Sequence, residues 1–224
     1  MRRYLSALVL GLGGIAILIS LGVWQVRRLA WKEAILARIE ATIAAAPAPL
    51  PVNPDPETDR YRPVSLSGRT TGDELLVLSG QKQAGPGYEV IAAFETADGR
   101  RILLDRGFLP EAARGAARPP VQLAATGNLL WPQDADSYTP PPDAATGLWF
   151  ARDVTAMAAR LGTDPVMVVL REPGGDGQGI VPVPVDTSGI PNDHLQYAIT
   201  WFSLAAVWAG MTAYLLWRIR RGTV

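Results

Sequence analysis

The chain has no cysteine and, in 224 residues, a single histidine, His194. Without cysteine it can form no disulfide, hold no thiolate metal site and run no thiol redox chemistry. The four methionines are scattered, so a copper carrier would lack the soft ligands it needs. Charge of one sign is not in excess either: 21 basic residues balance 21 acidic ones, for a formal net charge of zero. A nucleic-acid partner would require a basic surface, and none is expected. No histidine precedes position 194, so Ser–His–carboxylate catalysis is absent from the middle of the chain. The carboxylates Asp134 and Asp136 read as solvated loop residues, and no enzymatic activity is expected.

What the chain has instead is two uncharged apolar runs, Leu5 to Trp24 and Leu195 to Trp217. Each exceeds the roughly 18 residues that a membrane-spanning helix needs, and a helix satisfies its own backbone polar groups in lipid. The expected fold class is a membrane protein with two transmembrane helices flanking one mainly antiparallel β (α+β) extramembrane domain. Arg218, Arg220 and Arg221 follow the second run while Asp193 precedes it, which places the C-terminus in the cytoplasm. Two crossings return the N-terminus, with Arg2 and Arg3, to the same side. The middle domain then lies in a periplasm or its organellar equivalent, and a bacterial inner membrane is the expected location. Arg27, Arg28 and Lys32, on the outer flank of the first run, oppose this orientation; the sharper asymmetry of the second run outweighs them. A cleaved signal peptide fits poorly, since the first run is long and no small-x-small site closes it.

The expected organisation is a transmembrane helix over 1–24, a helical extension over 25–46, a proline-rich connector over 47–60, a β-rich outer domain over 61–191, a second transmembrane helix over 192–217 and a basic tail over 218–224. In the extension Trp24, Arg28, Trp31 and Lys32 share one helix face. Strands are expected at Tyr61–Thr70, Glu74–Leu78, Tyr88–Thr96, Arg101–Phe108, Val121–Trp131 and Val166–Leu170. Asp98-Gly99 joins two of them as a tight hairpin turn. Asp153–Leu161 reads as a short helix with Val154, Met157, Ala158 and Leu161 on one face and Gly162 ending it. Pro140-Pro-Pro-Asp is a loop, and the Gly- and Pro-rich stretch Glu172–Pro191 is a long loop or edge hairpin. A barrel and a sandwich both fit this pattern.

His194 opens the second run. Asp193 is the expected N-cap and Gln196 completes a variant capping box. From there His194, Tyr197, Ala198, Trp201, Ala205 and Trp208 form one stripe that alternates rings with small residues. Neutral imidazole binds metal, and aromatic rings beside small residues accept a flat apolar macrocycle. Arg27, Arg28 and Lys32 are candidate partners for its carboxylates if the two helices pack together, and Gly11, Gly13 and Gly14 would permit close packing. Plainer readings stand beside these. Tyr and Trp anchor helices at membrane interfaces, basic side chains snorkel to lipid phosphates, and the stripe serves equally as a helix–helix seam.

These residues also carry a family likeness. Leu21-Gly-Val-Trp-Gln-Val-Arg-Arg-Leu-Ala-Trp-Lys and Asn192-Asp-His-Leu-Gln-Tyr-Ala-Ile-Thr-Trp-Phe resemble the terminal motifs of the surfeit locus protein family of cytochrome c oxidase assembly factors. Between them Tyr61-Arg-Pro-Val, Asp105-Arg-Gly-Phe-Leu-Pro and Arg152-Asp-Val-Thr-Ala-Met-Ala resemble its internal blocks, in the same order. The resemblance implies a membrane chaperone of the respiratory chain that binds haem a and aids its insertion into the catalytic subunit of a haem–copper oxidase. The implied partners are that subunit, the enzymes that make haem a, and membrane lipid. By motif, His194 is the position associated with haem iron and Trp201 its neighbour, with Tyr197, Arg28 and Trp24 as further cofactor-binding candidates. Where the family block usually has asparagine this chain has Asp105, which puts an amide-specific hydrogen bond there in doubt. The alternative is a scaffold without haem that stabilises an oxidase assembly intermediate.

Overall fold

No proline interrupts the chain before Pro47, and the first helix runs on accordingly. The computed structural model, which describes residues 1–82, 84–172 and 177–222, begins with helix α1 over Arg2–Ala44. Its 43 residues take in both the expected transmembrane segment and the expected extension without a break. At about 1.5 Å per residue it is about 65 Å long, roughly twice the thickness of a bilayer's hydrocarbon. Strands β1 (Ala48–Pro49), β2 (Pro63–Gln81), β3 (Gly85–Thr96), β4 (Arg101–Pro110), β5 (Gln122–Leu129) and β6 (Leu148–Trp149) follow. Then come helix α2 (Val154–Leu161), strand β7 (Met167–Leu170) and helix α3 (His194–Arg220). α3 therefore includes Arg218 and Arg220 of the expected tail; Thr223 and Val224 lie outside the described residues. Both α1 and α3 are long and apolar enough to cross a membrane. The chain divides into two units, 1–38 with 187–224, and 39–186.

In the second unit the strands close on themselves. β2 pairs antiparallel with β3 and, through Pro63–Arg69, with β5. β3 pairs antiparallel with β4, β4 runs parallel to β7, and β7 returns antiparallel to β5. The ring β2–β3–β4–β7–β5 is a five-stranded barrel, which decides between the two expected architectures. Four of its five seams are antiparallel, as expected, and the fifth, β4–β7, is parallel. β1 and β6 are short parallel additions to β2.

The expected strands Tyr61–Thr70 and Glu74–Leu78 are one strand. The register shifts between Thr70 and Glu74, so 71–73 form a bulge rather than a turn. A bulge bends a strand and raises its twist, which lets β2 leave β5 for β3. The hairpin at Asp98-Gly99 is present with a three-residue loop. The Thr96 N–H donates to the Arg100 carbonyl at 2.8 Å, and only Gly99 takes positive φ, at 86°.

Side-chain alternation builds two apolar layers. Val64, Leu66, Phe94, Ile102, Leu104, Leu129 and Val168 fill the barrel. On the outer face Ile91, Ala93, Leu103 and Met167 pack under α2 and Trp149. Buried on both faces, β7 has no polar position and reads as a continuous apolar run. α2 forms as expected. The Asp153 carboxylate accepts from the Ala156 N–H at 3.0 Å, Gly162 ends the helix at φ 64°, and Val154, Met157, Ala158 and Leu161 are buried. Burying each larger side chain contributes about 1.5–3 kcal/mol.

One buried amide ties several turns together. Asn128, fully buried on β5, donates to the carbonyls of Tyr61 (2.7 Å) and Ile43 (3.2 Å) and accepts from Arg171 Nε (2.8 Å). Tyr61 sits at φ 70°, a conformation unfavourable for a residue with a side chain, and Ile43 carries one of the last carbonyls of α1, which lack helical partners. In the expected loop Glu172–Pro191, positions 173–176 lie outside the described residues. From 177 on it forms no strand, only a bridge between Val181 and Phe108.

Candidate functional site

α1 and α3 pack antiparallel within the first unit, and small residues set their spacing. A Cβ on Gly11 would collide with Thr212, one on Gly14 with Trp208, and one on Gly22 would come within 2.6 Å of Phe202. Gly13 faces open space, so the close-packing glycines are 11, 14 and 22 rather than 11, 13 and 14. The Trp208 indole N–H donates to the Gly11 carbonyl at 3.2 Å. On α3 the seam runs through His194, Ala198, Trp201, Ala205, Trp208 and Thr212, in alternating steps of four and three, the spacing of a coiled-coil face. Ala198 and Ala205 are buried on it. The seam reading of the stripe therefore holds for most of its members. Tyr197 is the exception, 55% exposed and turned out of the seam.

At the His194 end of this seam one polar contact bridges the helices. His194 Nδ1 lies 2.8 Å from Oε1 of Gln25, and Gln25 is buried on α1. Nε2 of His194 has no hydrogen-bond partner among the described residues. Two residues earlier, the Asn192 carboxamide oxygen is buried without a donor. Asp193 stands at the N-cap, but its φ of −90° and ψ of 10° are not extended and its carboxylate makes no capping bond; the expected capping box is absent.

Of the expected cofactor-binding residues, His194 and Trp201 lie on the seam and are partly buried. Trp24 is 55% exposed. Arg28 is exposed and stacks on the neighbouring Trp31 ring, 3.8 Å from its centroid, rather than reaching α3. Gln25 was missed, although it lies inside the Leu21–Lys32 motif. The signal was its position seven residues after Leu18 and fourteen after Gly11, a polar side chain on the small-residue face.

The barrel carries a second polar cluster. Arg152, beside α2, meets Asp134 at 2.7 Å and both Glu89 and Asp105 at 3.3 Å. Asp134 is thus ion-paired rather than merely solvated, while Asp136 organises its own turn through Tyr138 and Thr139. Burial, reinforced by the charge of Glu89, pushes the Asp105 carboxyl up to about 6, against the opposing pull of Arg152 and the Gly107 N–H. Burial opposes the charge on Arg152, but the hydrogen bond to Asp134 and the charges of Glu89 and Asp105 prevail and hold its pKa above the usual guanidinium value. Asp105 Oδ1 accepts from the Gly107 N–H at 3.0 Å. An asparagine oxygen, expected here from the resemblance, would serve that bond equally, so Asp105 keeps the acceptor. Among the described residues no three His, Asp or Glu side chains converge to hold a metal ion.

The architecture defines a class: a small closed β-barrel in a chain that begins and ends in long apolar helices, joined to each other by a histidine–glutamine contact. The SURF1 family model matches residues 12–206, from within α1 to the middle of α3. The chain is 30% identical over 225 positions to Surfeit locus protein 1 of Rattus norvegicus, covering 89% of this chain and 71% of that protein. It is 28% identical over 232 positions to Surfeit locus protein 1 of Homo sapiens (91% and 74% covered) and 30% identical over 219 positions to a SURF1-like protein of Monosiga brevicollis (88% and 82%). The chain belongs to the SURF1 family, and membership implies a factor in cytochrome c oxidase assembly.

Proposed function

We propose that this protein binds haem a as cargo through His194 and aids its insertion into the catalytic subunit of cytochrome c oxidase, without catalysing a covalent step itself. The observation that carries the reading is the His194–Gln25 contact: the chain's one imidazole is held between two helices through Nδ1, and its Nε2 has no hydrogen-bond partner among the described residues. A porphyrin iron takes one such nitrogen as an axial ligand. Trp201, one heptad on along α3, offers an aromatic face to the macrocycle; Tyr197 and Trp24 are exposed rings close in sequence to His194 and Gln25, free to meet a bound ligand from outside the seam. Arg28, held by Trp31, is the weakest of the site residues and is better read as an interfacial anchor.

In this reading α1 and α3 cross the membrane, with both termini on the side of Arg218, Arg220 and Arg221 and the barrel on the other. Tyr214 and Trp217 sit beside Arg218 and Arg221 in cation–π contact, as anchors at the inner interface do. The barrel is left to engage oxidase subunits.

The test is a visible spectrum of the protein purified from cells that make haem a. The expected result is a haem band that His194→Ala weakens. A colourless preparation from haem-replete cells would overturn the cargo role and leave a scaffold.

A further inference from the structure

We infer that Gln25 is a positioning residue: its carboxamide oxygen holds the imidazole proton of His194 on Nδ1 and so reserves the Nε2 lone pair for iron. The inference rests on the reading of His194 as the haem ligand and adds what prepares that ligand. Gln25 is 8% exposed in a seam built mainly of small and apolar residues, and its Oε1 lies 2.8 Å from Nδ1. An amide oxygen only accepts, so the facing nitrogen must carry the proton. Burying a carboxamide without a hydrogen bond costs several kcal/mol. His194 is the one side chain that Gln25 bonds among the described residues. The neighbouring acceptor, Asp193, makes no bond to the ring. One turn inward on each helix, Gly22 leaves room for the Phe202 ring and Ala198 is buried, so small residues flank the contact.

Free imidazole has no such bias toward the Nδ1–H form, so the bond selects a tautomer that the ring alone would not favour. Outer partners of this kind orient metal-ligating histidines and raise their basicity. The bond also couples two events. Withdrawal of electron density at Nε2 makes Nδ1–H a stronger donor, so binding at Nε2 tightens the contact between α1 and α3, and by linkage a well-formed contact favours binding.

The chain's single histidine makes the tautomer directly readable. In the full-length, 15N-labelled, haem-free protein in detergent at about pH 8, above the ordinary imidazole pKa, two ring-nitrogen signals belong to His194 alone. The expected spectrum shows Nδ1 protonated and Nε2 not. Gln25→Leu should convert this to a tautomer mixture and weaken haem a binding by about 10–100-fold, the usual effect of losing such a partner. Gln25→Glu, a stronger acceptor of the same length, should keep the Nδ1–H tautomer and the binding while lowering the midpoint potential of the bound iron. A wild-type proton on Nε2 overturns the inference, as does an unchanged tautomer in Gln25→Leu. If Gln25→Leu binds haem a as tightly as wild type while His194→Ala does not, only the role of Gln25 falls. If His194→Ala binds as wild type, the haem reading falls and takes that role with it.

Discussion

Replacing Asp105 by asparagine tests whether the buried ion cluster stabilises the barrel or burdens it. The carboxyl is fully buried, with its pKa raised from 3.8 to about 6 by burial and by Glu89. A carboxyl whose folded pKa is raised holds its proton more tightly in the native state than in the unfolded chain. Stability from that proton is complete below about 3.8 and is lost as pH rises through about 6. The interval from 3.8 to about 6, at 1.36 kcal/mol per tenfold change in acidity, comes to about 3 kcal/mol. Asparagine is a neutral stand-in for the protonated acid and keeps the acceptor for the Gly107 N–H. The Asp105→Asn protein should therefore match wild type near pH 4 and exceed it by about 3 kcal/mol at pH 8. Arg152 would keep Glu89 and Asp134. Denaturant unfolding of the full chain in detergent, followed by tryptophan fluorescence at several pH values, measures the difference. Asp55, Asp59, Asp98, Asp136 and Asp143 have lowered pKa values and titrate at lower pH, identically in both proteins. A variant less stable than wild type at pH 8, or a difference that does not change between pH 4 and 8, would refute the reasoning.

Three further outcomes follow from the packing. Asn128→Ala removes three hydrogen bonds from a fully buried position and leaves the Tyr61 carbonyl without this donor, so denaturant unfolding should show a loss of about 3 kcal/mol. Gly22→Leu drives a side chain into Phe202 and should cost about 1–3 kcal/mol in thermal unfolding and weaken haem a binding, while Gly13→Leu, whose Cβ has nothing within 4 Å, should leave both unchanged. Asp153→Ala deletes the cap of α2 and should lower barrel stability by about 1 kcal/mol at neutral pH, measured by the same unfolding assay.

Local signals carried much of this structure. The apolar face and glycine stop of α2, the unbroken apolar run of β7 and the two long helices each depend on neighbours in sequence, and each could be read from it; Asp153, read as the first helical residue, is instead the N-cap. Closure of the barrel could not, because β2 meets β5 and β5 meets β7 across long separations that no local pattern encodes. Thr71-Gly72-Asp73 has the composition of a turn, yet pairing with β3 on both sides holds it as a bulge. At the site, the histidine stood out because it is unique. Its partner did not: Gln25 lies 169 positions away, and the pairing emerges only once the antiparallel register of the helices is known. The same register exchanges Gly13 for Gly22, since a run of glycines says where a helix can be approached but not from which side.

The shortest strand of the barrel carries a disproportionate duty. β7 has four residues, Met167–Leu170, yet among the described residues it alone links β4 to β5. Losing it would open two seams at once and turn a ring into a sheet with two bare margins, β4 and β5, each with unpaired backbone groups of the kind that recruit foreign strands. A polar substitution at Val168 or Val169 would thus act less by removing a methyl group than by unlocking a keystone, and its mark would be self-association as much as a lowered melting point.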